Sequence, residues 1–169
     1  ASRRPRLKAL VVGGVHRSGA AYAESLHAFV REQGLADRVV WTGARSDVPD
    51  LIAAMDVFVH TSVRGEPFGR VIVEAMAVGR PVLATKAGGV PEFVHDGQDG
   101  LLLPPGDAEA LEAWLSERRG TKVRLHVPQR GARRQLLDMV QENAERGADQ
   151  YALARNVRAA RDPQQALAI

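Results

Sequence analysis

Glu66 and Glu74 are separated by seven residues in EPFGRVIVE, and the loop between them turns helical at Gly69. The first N–H groups of a helix have no partner inside it and lie at the positive end of its dipole, so they can hold an anion such as a diphosphate. Gly69 lets a ligand approach the backbone closely. A carboxylate accepts hydrogen bonds and can grip two vicinal hydroxyls at once. Glu66 in the loop and Glu74 in the second helical turn would therefore flank a phosphate-binding helix start. That arrangement suits a ligand with sugar at both ends of a diphosphate, a nucleotide sugar. An isolated Glu pair at this spacing carries no weight, because each reads equally well as a surface carboxylate. The surrounding sequence decides.

The elements that would position these groups follow from periodicity. LKALVVGG (7–14), RVVWTG (38–43), VFVHTS (57–62), PVLAT (81–85) and GLLLPP (100–105) are short apolar runs bounded by turn residues, and they predict strands. Between them, 18–34, 48–55, 69–80 and 90–96 read as helices. Tyr22, Leu26, Phe29 and Val30 give the first its stripe, with Ser18 as a cap, and Asp47 would cap the second. Strands alternating with helices predict an α/β, three-layer Rossmann-like domain with a mainly parallel sheet, whose ligand lies beyond the carboxyl ends of the strands. Residues 107–120 read as a further helix. KVRLHV (122–127) alternates strictly between apolar and charged residues, which predicts an edge strand, and a long helical stretch follows to about residue 161.

Other residues carry less. Gly13 and Gly14 follow a strand, but GGVHRSG lacks the spacing of a dinucleotide fingerprint or a phosphate loop and reads as a tight turn. His60 ends an apolar strand, where a packed histidine is the commoner outcome, although it could line the ligand cleft. Gly88 and Gly89 read as a turn near that cleft, and Trp41 as core.

Composition narrows the classes. The chain has 169 residues, 45% apolar and 25% charged, the balance of a globular protein. Absence of cysteine excludes a thiol nucleophile, a disulfide scaffold and a zinc–thiolate site. No apolar run approaches a membrane span and the basic N-terminus leads into too few apolar residues for a secretory signal, so a cytoplasmic location is expected. The net charge of +3 is uneven. Residues 1–114 hold 12 basic and 14 acidic side chains, and 115–169 hold 11 and 6. Such asymmetry hints at two origins or at different partners.

Residues 6–114 closely resemble the donor-binding domain of retaining GT-B glycosyltransferases of family four. The carriers are EPFGRVIVE with its two glutamates, then EAMAVGRPVLAT, AGGVPEFV and DGLLLPPGD in the family's order, with LADRVVWTG and DLIAAMDVFVHTS upstream. The resemblance implies that Glu66 contacts hydroxyls of the transferred sugar and acts as the catalytic carboxylate. Phe68, Gly69 and Arg70 would place backbone groups near the sugar and phosphates. Val71 would support the diphosphate or ribose, Glu74 would grip the ribose hydroxyls, and the loop around Gly43 would lie near the base. It implies no metal and no cofactor beyond the donor substrate, with retention at the anomeric carbon. The intact family places its active site between two domains. The acceptor domain and the first strand and helix of the donor domain are not matched here, so binding without transfer is expected.

From about residue 111 to 165 the chain resembles the excinuclease C family of bacterial nucleotide excision repair, on the core KVRLHVPQRGARRQLLDMVQENA (122–144). The nuclease centre of that family lies further on and is not matched. Arg130, Arg133 and Arg134 could contact nucleic-acid phosphates, against the simpler reading of a solvated helix start. The expected organisation is therefore composite: 1–110 from a donor-binding domain and 111–169 an excinuclease-like strand and helix on the same sheet, with a seam near 104–115. The chain would be a natural fusion or an engineered chimera. Two alternatives to nucleotide-sugar binding remain, a DNA-associated module and a composite without activity. A homodimer through a free sheet edge is also possible.

Overall fold

A computed structural model of the chain describes residues 7–67 and 69–117. It has five strands and four α-helices among these residues, every strand pairing is parallel, and the chain divides into two compact units at Val48. The α/β class with parallel strands and intervening helices is thus as the alternation predicts. The strands are, however, hydrogen-bonded as two sheets, one in each unit, where the alternation predicts a single sheet. The edge strand at 122–127, the long C-terminal helix and the segment assigned to 111–169 beyond Glu117 lie outside the described residues.

In the first unit β1 (Ala9–Val12) pairs with β2 (Val39–Gly43), and α1 (Ala20–Glu32) connects them. The connecting helix is the usual requirement of a parallel pair. His27 of α1 stacks on Trp41 of β2 with ring centroids 4.2 Å apart. This contact sets the packing face of α1. Leu26 and Val30 are partly covered, whereas Tyr22 and Phe29, assigned to the same stripe from spacing, stay exposed. Ser18 does not cap α1. It lies in a 3-10 turn (Arg17–Gly19) whose entry is capped by the side chain of His16. Asp47, just before α2, pairs through both carboxylate oxygens with Arg45, at 2.7 and 2.5 Å.

The second unit is built on β3 (Phe58–His60), β4 (Val82–Thr85) and β5 (Leu101–Leu103), in that spatial order. All four residues of the central strand β4 are buried, as expected of a strand covered on both faces. α2 (Val48–Ala54) precedes β3 and buries Ile52. α3 (Arg70–Val78) buries Ile72, Val73, Ala75, Met76 and Ala77. Its Val-Ile-Val run is a mediocre helix former, so burial rather than propensity supports it. Gly79 ends it in the left-handed conformation, φ +81°, with Gly79 N–H donating to Met76 O and Arg80 N–H to Ala75 O, a Schellman closure.

Two further helices frame β5. The pattern at 90–96 shortens to a 3-10 turn, Val90–Glu92. His95 N–H donates to the Asp99 carboxylate at 2.8 Å instead of to a helical carbonyl, and Asp96 accepts from Leu102 N–H of β5 at 2.9 Å, which ties the turn to that strand. α4 (Ala108–Glu117) is capped by Asp107, whose side chain accepts from Ala110 N–H at 2.8 Å. Its Trp114 packs with Leu83 and Leu103.

Candidate functional site

The loop from His60 to Arg70 carries the candidate residues, and it is fixed at both ends. Thr85, the last residue of β4, donates its hydroxyl to Ser62 O at 2.8 Å, tying the exits of β3 and β4 together. Farther along, Gly89 N–H donates to Glu66 O at 3.0 Å. Gly88 has φ +62°, and a Cβ on it would stand 2.1 Å from Glu66 O. The turn after β4 must therefore carry glycine there to press against the backbone of Glu66. Gly88 and Gly89, expected only to make a turn near the cleft, hold the backbone of the candidate catalytic residue.

The side chain of Glu66 is held as well. Its Oε1 accepts from Gly69 N–H at 3.0 Å, and Oε2 lies 3.9 Å from His60 Nε2. Gly69 is buried in the left-handed conformation, φ +71°, and a Cβ there would meet Ile72 Cδ1 at 2.7 Å. Only glycine allows the loop to enter α3 so tightly. Arg70 and Val71 then open the helix, with N–H groups that have no carbonyl one turn back within it.

Glu74 sits on the second turn, half-buried. Burial pushes its carboxyl above the usual range, and the Arg70 guanidinium four residues earlier partly opposes that. Burial pushes the His60 imidazole down, so it favours the neutral ring, although nearby Glu66 pulls the other way.

Beyond the carboxyl ends of β3, β4 and β5 lies a cleft of about 270 Å³, lined by Thr61, Val63, Thr85, Leu103, Asp107 and Leu111 among others. None of Glu66, Gly69, Arg70, Val71 and Glu74 lines it. The second unit carries those five residues on one loop and helix start. Gly43 ends β2 in the first unit with φ +67°. Phe68, Arg130, Arg133 and Arg134 lie outside the described residues. Among the described residues no group of three or more His, Asp or Glu is placed to hold a metal ion.

Parallel strands joined by helices, with a glycine-opened helix start after β3, define a Rossmann-like α/β fold. The comparisons are more particular. The family described as "Glycosyl transferases group 1" matches residues 1–117. Lipopolysaccharide core biosynthesis glycosyltransferase LpsE of Rhizobium meliloti (strain 1021) is 41% identical over 94 residues, covering 56% of this chain and 27% of that protein. A D-inositol 3-phosphate glycosyltransferase of Mycobacterium sp. (strain KMS) is 35% identical over 133 residues, covering 75% of this chain and 30% of its own. Anabaena Alr3699/HepE, solved in complex with UDP and glucose, superposes with a TM-score of 0.73 at 36% identity, over 85% of this chain and 40% of that one. The chain belongs to the group 1 glycosyltransferase family.

It spans about a third or less of the length of these curated relatives. A second family, the UvrC ribonuclease H-like domain, matches residues 101–151 and overlaps the first over 101–117. Among the described residues no helix is long and apolar enough to cross a membrane.

Proposed function

We propose that this chain is the nucleotide-sugar-binding half of a retaining glycosyltransferase, the protein that moves a sugar from a nucleotide diphosphate to a hydroxyl acceptor. One observation carries the reading: the Glu66 carboxylate is braced by Gly69 N–H at the mouth of α3, with Glu74 one turn further on. The N–H groups of Arg70 and Val71 receive the diphosphate, aided by the positive end of the helix. Glu74 grips the ribose hydroxyls, and Glu66 takes hydroxyls of the sugar to be transferred.

In the transfer, the bond from the anomeric carbon to the diphosphate oxygen breaks, one to the acceptor oxygen forms, and the acceptor hydroxyl's proton passes to the leaving diphosphate. Negative charge gathers on the leaving diphosphate, where the fixed N–H dipoles of α3 lower the barrier. No metal is needed for this role of the helix. HepE, the similar protein solved with UDP-glucose, supports the choice of donor class. A thermal-shift screen of UDP, GDP and their sugars tests it. At least one should raise Tm in proportion to the logarithm of its concentration once above Kd. Absence of any shift across the panel overturns the reading.

The UvrC match over residues 101–151 favours a second reading, nucleic-acid association through the basic Arg130, Arg133 and Arg134. On this reading the chain joins a donor-binding part, 1–110, to an excinuclease-like part, 111–169.

A further inference from the structure

β3 ends at His60, and the ring faces the candidate carboxylate. Its Nε2 is 3.9 Å from Glu66 Oε2, while Oε1 of the same carboxylate is already taken by Gly69 N–H. One oxygen is thus fixed by backbone and the other is met by a ring nitrogen. The His60 side chain is only 15% exposed, and its Nδ1 is buried without a hydrogen-bond partner. A buried polar atom without a partner is unfavourable. A leucine or valine at this position would extend the apolar run of Val57, Phe58 and Val59 without that cost. The strand therefore carries an imidazole, at some expense to packing, where its second nitrogen meets Glu66.

Burial favours the neutral ring, which has one proton to place. Nε2 is the ring nitrogen within 3.9 Å of Oε2, so a proton there is the one available to that carboxylate oxygen. The 3.9 Å separation is longer than a hydrogen bond, and contacts of this kind commonly tighten only when ligand is bound. We propose that His60 is a positioning residue for Glu66: its Nε2–H closes on Oε2 when sugar hydroxyls engage the carboxylate, fixing the carboxylate plane for the donor's sugar. The inference rests on the nucleotide-sugar reading and adds a determinant of sugar recognition as opposed to nucleotide recognition.

Calorimetry with UDP, UDP-glucose, GDP and GDP-mannose separates the two. His60→Leu should bind the nucleotide diphosphate within twofold of the wild type but lose most of the added affinity contributed by the sugar. His60→Gln, which keeps an N–H donor, should restore most of it. An unchanged ratio of sugar-nucleotide to nucleotide affinity in His60→Leu overturns the inference and leaves the nucleotide-sugar reading standing. No binding of any of the four by the wild-type chain overturns both. If His60→Leu fails to fold, the wild-type ring nitrogen signals decide, assigned by their absence in His60→Gln. They should move with the sugar nucleotide and not with the nucleotide alone. No movement with the sugar nucleotide contradicts the proposal.

Discussion

Glu74 is a half-buried carboxylate on a helix whose other inward residues are apolar, and its cost to the fold should be measurable. Burial raises its pKa in the folded chain, so the folded state holds the proton more tightly than the unfolded one. Its contribution to stability is therefore greatest below the ordinary glutamate range near 4.5 and falls as the pH rises through the raised value. Glu74→Gln should have a higher Tm than the wild type at neutral pH, with the gap closing as the pH is lowered through that range. A constant gap would show that the carboxylate's charge is not the cause. Stabilisation of this kind at the expense of binding is common at functional positions. Glu66 and Glu74 stand out as candidates in the sequence because their spacing sits in a dense run of family motifs. The approach of His60 to Glu66 was not legible there, since it depends on how the loop folds back after β3. Nor was the His27–Trp41 stack, because a histidine does not count toward an apolar stripe.

The loops after β3 and β4 act as one unit, locked where Gly88 meets the backbone of Glu66. Gly88→Ala combines a left-handed backbone with a severe clash, and should cost about 3 kcal/mol. Gly97 provides the control. Its φ is also positive, +74°, but nothing lies within 4 Å of the Cβ position. Gly97→Ala should cost only about 1 kcal/mol. Chemical denaturation of both variants measures the difference, and equal costs would remove the clamp from the account. Element existence and order in the described part were legible because strands and helices alternate with clear glycine stops, as at Gly79. Boundaries were less so. The helix expected over 90–96 is cut to Val90–Glu92, and the Asp99 carboxylate takes the His95 N–H that a longer helix would have used.

At the scale of the molecule, the parallel α/β plan followed from the apolar runs, but the partition into two sheets did not, because pairing partners are set by tertiary contacts. If the basic part associates with nucleic acid, binding to duplex or single-stranded DNA should weaken steeply as salt rises, with a log–log slope proportional to the number of phosphates neutralised. Electrophoretic mobility shift at several salt concentrations measures it, and no binding at low salt removes that second reading. The central claim concerns the other part, and calorimetric titration of the wild type and Glu74→Ala with UDP- and GDP-sugars tests it most directly. The wild type should bind at least one sugar nucleotide and Glu74→Ala should bind it at least tenfold more weakly, about 1.4 kcal/mol. Equal affinity in a folded Glu74→Ala chain would contradict the site.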